Sequence, residues 1–447
     1  MRVAAELRVH RSITKALKLF DADRFRWLDE AASMGPVVAL RMGPVKVWVV
    51  TDAEVARTIL VTDSSSWTRP PATLAPIRVG VGENLFTQSD KAWARLQPLV
   101  APAFRRKALD ARLSQIDALI DEEVAAIPRG TTIDLELAMC RIALSLAAWV
   151  LLGEQLDRDR AEEIAHHQRE VVRWVGVQLG KFTGFLPVAF GARGRQMKGH
   201  RAVLNAYADE VIARAKATDG RGEDVLEALL RARPAGKILT PEQLRGHVLG
   251  LFLAGNETTG AALSWALVHG ARSPAAWVNV REDSARQTGP YLKESLRLTP
   301  AVWGIPRTPT QAGVTVTAEG LTTRVRRGQL ATIYLRGINR DPNLWPEPTR
   351  FDPSRHDNDS TEQQRALIPF GLGPRGCIGQ HLAMAELNAV LPALARHGDV
   401  TLESIVTEDP SFALRTQPDL NGRFTTPVTS TKSDGDPTIT NTRPADA

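Results

Sequence analysis

Cysteine is nearly absent: two residues in 447, Cys140 and Cys377. A single pair cannot build a disulfide framework, so stability must come from a packed core and a reducing cytoplasm is the expected compartment. Dense basic tracts are also missing. The net charge is +6, but Lys and Arg are dispersed and not interleaved with aromatics, which argues against a nucleic-acid partner. Long apolar runs are missing too. The most apolar stretch, 142–153, falls short of the ~20 residues a bilayer span needs and reads as a buried core helix carrying Cys140 as a small packed side chain. The N-terminal MRVAAELRVHRSITKALKLF is charged every few residues and lacks the apolar core of a secretory signal. What remains is ordinary globular composition, 43% hydrophobic and 24% charged.

Residues 36–62 carry two β-rich runs, VVALRMG and VKVWVV, split by Gly43-Pro44, and read as a small sheet. From about 90 to 300 the pattern is helical. One long helix starts at Thr240 as N-cap, with Pro241 at the first helical position and Gln243 completing a capping box. It is expected to run to His269, about 43 Å at 1.5 Å per residue, and to be buried because it is apolar on most sides. Short β runs (VTVTAEG, QLATIYL) and a proline-rich coil follow. Helices and strands are segregated, so the fold class is α+β, mainly α, with one domain over 1–427. The polar stretch 428–447 reads as a disordered tail.

Chemistry is concentrated in four places. Phe370–Gly379 reads FGLGPRGCIG, placing Cys377 in a glycine-rich turn before a helix. Gly373, Gly376 and Gly379 let the chain bend around a sulfur and Arg375 adds positive charge, which suits a thiolate bound to haem iron. A reactive cysteine or a phosphate-cradling turn would look similar. The literal G-x-G-x-x-G at 371–376 lacks the context for the latter: Pro369 interrupts the preceding run and no βαβ alternation surrounds it. Inside the long helix, AGNETT (254–259) puts an acid and hydroxyls in apolar surroundings, where they must be satisfied or used. Gly255 removes bulk that a cofactor could need, and a Thr can bond back one turn and open the helix. Glu294 and Arg297 share a helix face at i,i+3. The coil 339–353 contains Pro348-Thr349-Arg350-Phe351 and could carry Arg350 to that pair.

In this order and spacing, AGNETT, ExxR, PxRF and FxxGxRxCxG resemble the cytochrome P-450 superfamily, the haem-thiolate monooxygenases of soluble bacterial type, over residues 36–426. The resemblance implies haem b (iron protoporphyrin IX) between the long helix and the cysteine-loop helix, with Cys377 as axial metal ligand and Phe370 shielding the sulfur. Ala254, Gly255, Gly376 and Gly379 would border the haem. It implies that Glu257 and Thr258 deliver protons to dioxygen at the iron, and that Glu294, Arg297 and Arg350 form a structural triad. Arg375, Arg307 and the Trp93 indole N–H would bind haem propionates. One departure stands out: Gln97 occupies the position where many members carry a propionate-binding Arg, and Arg95 faces elsewhere on the same helix.

The implied reaction is insertion of one oxygen atom of dioxygen into a lipophilic small molecule, by hydroxylation or epoxidation. No flavin reductase segment is read here, so electrons from NAD(P)H would arrive through a separate ferredoxin and ferredoxin reductase, met transiently by a monomer. Arg105, Arg106 and Lys107 could face an acidic ferredoxin. The other reading is a non-catalytic haem-thiolate sensor or binding protein, which would not need Glu257 and Thr258. Pocket candidates are Trp174, Phe182 and Phe185, Phe252 and Ala254, and Val302, Trp303 and Ile305; core packing competes as the explanation of each aromatic. Nothing in them selects a fatty acid, terpenoid, steroid or polyketide.

Overall fold

A computed structural model describes residues 5–180, 192–217, 224–318 and 320–427. The tail predicted over 428–447 lies outside that range. The chain forms a helix-rich body with small sheets, the α+β arrangement expected.

The long central helix begins as the sequence dictates. Thr240 Oγ1 accepts the Gln243 N–H and Gln243 Oε1 accepts the Thr240 N–H, with Pro241 at the first position. The rod is not regular, however. It runs Pro241–Phe252, widens into a π-helical turn over Leu253–Glu257, and resumes over Thr258–Arg272, three residues beyond the predicted end. Thr258 Oγ1 donates to the Ala254 carbonyl at 2.7 Å, the backward bond that accompanies the widened pitch.

The helix Leu135–Leu152 packs along it as a wall. This wall helix has the length and hydropathy of a membrane span, yet 83% of it is buried inside the fold. Asp134 caps its start by accepting the Leu137 N–H, and Gly153 closes its end at φ 69°. Contact is close enough that a Cβ on Gly260 would lie 2.7 Å from Cys140 Sγ. Cys140 is thus a packed core side chain, its thiol pushed well up by burial.

A six-stranded sheet lies beside the helices, in the order Glu6–His10, Val37–Met42, Val45–Val50, Leu330–Ile333, Ile305–Pro309, Trp67–Thr68. The hairpin around Gly43 pairs Val37 with Val50 and Met42 with Val45. The expected sheet over 36–62 is too long. After Val50, Asp52 accepts the Val55 N–H and starts the helix Ala53–Arg57, followed by a π-helical turn over Thr58–Thr62. A capping carboxylate ended the strand.

The proline-rich coil is anchored through Glu294 and Arg297, both fully buried on the helix Ser284–Leu298. Arg297 grips both Glu294 oxygens (2.7 and 2.9 Å) and donates to the carbonyls of Asn339, Pro348 and Arg350. Arg350 is not the third member of the cluster. Its guanidinium is 61% exposed and pairs with Glu347, and only its carbonyl takes part. The residues that reach Glu294 are Arg355 (Nε to Oε1, 2.9 Å) and His356 (Nε2 to Oε2, 3.0 Å), from a second P-x-R segment one turn later. Phe351 explains why the first segment looked important: it stacks on His269 at 4.5 Å and docks the coil against the central helix. Burial would push the Glu294 carboxyl up, but hydrogen bonds from Arg297 and His356 hold it down at about 2.

Arg355→Ala should therefore cost about 2 kcal/mol in denaturant unfolding, as loss of a hydrogen bond to a buried charge. Arg350→Ala, which keeps the useful carbonyl, should stay within about 0.5 kcal/mol of the parent.

Candidate active site

The cysteine loop is held by backbone geometry. Gly371 and Gly373 adopt φ values of 67° and 71°, and a Cβ on Gly373 would sit 1.9 Å from the Leu60 carbonyl oxygen. Only glycine fits there. Gly376 and Gly379 sit at φ −59° and −91°, open to any residue, so the expectation that they shape the bend is corrected. The Cys377 N–H donates to the Phe370 carbonyl at 2.8 Å, which closes the loop at the start of the helix Gln380–His397, the cysteine helix.

Cys377 is accessible on one side and surrounded by protein on the other. That burial raises its thiol above 9.0, while the Gly379 N–H bonded to the sulfur pulls the other way. Arg375 does not supply the missing charge to the sulfur. Its guanidinium bonds Asp90 and lies 4.0 Å above the Trp93 ring. A cation bound at the sulfur would favour the thiolate.

Arg375 belongs instead to an arginine group. Arg69 and Arg307 are each pulled down to about 10 by burial first and then by repulsion from Arg375. Arg69, Arg307 and Arg375 are set against the carboxylate of Asp90, so the group carries an excess of positive charge, although Arg69 also donates to the Phe86 and Gln88 carbonyls and Arg307 to the Pro306 carbonyl. Arg69 Nε has no hydrogen-bond acceptor. Sequence reasoning missed Arg69 and Asp90, since an isolated Arg before Pro70-Pro71 carries no local signal. Trp93 contributes its ring face as the platform for Arg375, on the helix Asp90–Val100. Gln97 is half-buried on that helix and Arg95 is exposed.

On the central helix the AGNETT residues separate by face. Ala254 is exposed in mid-helix and Thr258 is half-buried, so both line an open side. Gly255 was expected to make room for a cofactor; instead a Cβ there would lie 2.9 Å from Ala147 of the wall helix, so its bareness serves helix packing. Glu257 turns inward, 2% exposed, where Arg415 holds both its oxygens at 2.8 Å. Arg415 also reaches Glu136 at 3.1 Å. Burial raises the Glu136 carboxyl and the attraction of Arg415 opposes this. Neither Glu136 nor Arg415 was visible as a site residue, because each is a lone charge in an apolar element. Next to Thr258, Thr259 bonds Glu386 of the cysteine helix, whose carboxyl burial pushes up to about 8.

The pocket candidates divide. Phe182 and Phe185 lie outside the described residues. Phe252 is 2% exposed and stacked on Tyr207, and Trp174 is 7% exposed in the core. Trp303 packs edge-on against Phe25 and its indole N–H donates to the Ser411 carbonyl. These three are packing residues, held by neighbouring helices and the sheet. Val302 and Ile305 are half-buried, and Ile305 Cδ1 approaches Gly371 of the cysteine loop to 3.5 Å from its would-be Cβ.

Glu386 gives a pH test. Its folded value lies above the ordinary 4.5, so the folded state binds the proton more tightly than the unfolded chain does. Stability present below pH 4.5 should be lost as pH rises to about 8. Glu386→Gln should remove that loss, so its thermal midpoint should gain on the parent across this window and run parallel above it.

An accessible cysteine sulfur with a backbone donor, together with a group of arginines carrying excess positive charge, has the kind of donors that a haem with two propionates requires. Comparison with known proteins agrees. The chain is 28% identical to cyclooctatin synthase of Streptomyces melanosporofaciens over 83% of this chain and 84% of that protein. It is 28% identical to beta-amyrin 24-hydroxylase of Glycine max (80% and 79% covered) and 26% to abscisic acid 8'-hydroxylase 2 of Oryza sativa subsp. indica (76% and 69%). The family profile described as Cytochrome P450 matches residues 22–420, and the chain belongs to that family of haem-thiolate monooxygenases.

Proposed function

We propose that the chain hydroxylates or epoxidises a lipophilic small molecule in the cytoplasm, with electrons delivered from NAD(P)H by a separate ferredoxin and its reductase. The observation that carries this reading is the split of Glu257 and Thr258 between a buried ion cluster and an open helix face. A passive haem-binding protein would not need an acid and a hydroxyl adjacent in sequence with the hydroxyl on the open face, beyond the backward bond the hydroxyl makes.

Cys377 would bind the iron, and Arg69, Arg307 and Arg375 would hold the propionates, with Trp93 fixing Arg375. When bound, the haem supplies activation of dioxygen, assisted by electron donation from the thiolate. Phe370 fixes the loop on which the sulfur sits. The protein's own task is to bring protons in and keep bulk water out. Thr258 Oγ1 spends its hydrogen on the Ala254 carbonyl, which leaves its lone pairs free to accept a hydrogen bond from a water on the open side and so to orient that water as a proton donor. For Glu257 to refill that relay it must release one of its two bonds to Arg415, and Arg415 keeps its place through Glu136. Arg415 is then a positioning residue for the acid. Ala254, Val302 and Ile305 would border the substrate.

The redox-partner face is supported by Arg105, Arg106 and Lys107, all exposed where the helix Arg106–Leu113 begins. On that helix Asp110 meets His381 of the cysteine helix at 3.4 Å, so the basic group stands on the cysteine side. The relatives named as hydroxylases of abscisic acid and beta-amyrin favour a bulky apolar substrate.

Two measurements test this. Candidate substrates are screened by the Soret shift that accompanies displacement of water from the iron. The best one is then turned over with surrogate ferredoxin and reductase. Thr258→Ala should lower product per electron consumed about tenfold or more, with peroxide released instead. Unchanged yield in that variant would refute the relay role of Thr258.

A further inference from the structure

Three of the nine histidines of the chain meet at one place away from the cysteine loop. His166 and His167 lie on the helix Arg158–Gly180, and His200 on the helix Ala192–Ala217 packed against it. Neighbours on one helix point about 100° apart and do not ordinarily converge. Here both rings turn toward His200, with ring centres 5.9 and 5.0 Å from it. One nitrogen from each of the three rings lies within 4.8 Å of the other two. His167 Nδ1 and His200 Nδ1 are 2.7 Å apart, so a single proton must bridge two lone pairs. Among the described residues no carboxylate or carbonyl bonds any of the three rings. His166 is exposed and the other two are half-buried, which leaves an entry path from solvent.

We propose that His166, His167 and His200 form a site for a divalent transition-metal cation of the zinc class, which would tie the two helices together. Zinc bound to imidazole at about 2.1 Å sets its ligand nitrogens about 3.4 Å apart, so rotation of the side chains alone closes the site. The cation would replace the bridging proton between His167 and His200, and water would complete the tetrahedron on the exposed side. All-imidazole donors select zinc, nickel or copper over oxygen-seeking magnesium. The site is independent of the haem reading, since none of its residues belongs to the cysteine loop or the central helix.

The test is calorimetric titration of Zn2+ alone into the full, tag-free, haem-loaded chain. One equivalent should bind saturably, nickel should compete and magnesium should not. His167→Ala, His200→Ala and His200→Gln should each weaken binding at least about tenfold, since losing even an outer-sphere partner of a metal costs that much. His10→Ala, on the N-terminal strand, should leave it unchanged. Zn2+ should also raise the thermal midpoint of the parent but not of the His167 and His200 variants, because a ligand of the folded state alone stabilises it. Absence of saturable binding to the parent, competition by magnesium, or parental affinity in the His167 and His200 variants would each overturn the proposal.

Discussion

The buried carboxylate of Glu294 is the constraint on which the cysteine side of the molecule depends. A bare carboxylate at that depth would be far too costly, so it must be met by charge and hydrogen bonds from every direction. Arg297 supplies two of these from its own helix, while Arg355, His356 and the Asp352 N–H supply the rest from the coil. Satisfying one anion therefore fixes the path of a segment that has almost no regular structure. That segment leads into the cysteine loop, whose second anchor is the contact of Gly373 with Leu60. A charge cluster behind the site and a steric lock at its edge together place a sulfur on a flexible-looking glycine run.

The central helix solves a different problem, that of keeping polar groups inside an apolar rod. Widening the pitch at Leu253–Glu257 turns consecutive residues to different surroundings. Glu257 reaches a guanidinium on a C-terminal strand, while Thr258 stays on the accessible face. The acid is thus stored in an ion cluster with Arg415 and Glu136, two carboxylates for one cation. Freeing Glu257 would loosen the tie between the central helix and the strand Leu414–Gln417 that carries Arg415.

Opposite charge logic governs the arginine group. Arg69, Arg307 and Arg375 come from three distant parts of the chain, Arg375 repels the other two, and Asp90 is the carboxylate that attracts all three. Such clusters are unfavourable unless an anion is to be held. Gln97 lies on the helix that carries Trp93, and the exposed Arg95 of that helix is not among these guanidiniums.

Local chemistry was legible in the sequence alone. The capping box at Thr240, the i,i+3 pair Glu294–Arg297, the backward bond of Thr258 and the glycine turn before Cys377 all depend on residues within a few positions of one another. Their geometry is set by backbone spacing, and the structure returned each of them. Partners far apart along the chain were decided only by the tertiary path. Two similar P-x-R segments stand five residues apart, and packing of the coil chose Arg355 over Arg350. The same holds for Arg415 on Glu257, Arg69 beside Arg375, Gly255 against Ala147, and Phe252 and Trp303 in the core. Contact across tens to hundreds of residues is fixed by how helices and sheet close on each other to bury apolar surface, and no spacing rule in one dimension encodes that closure.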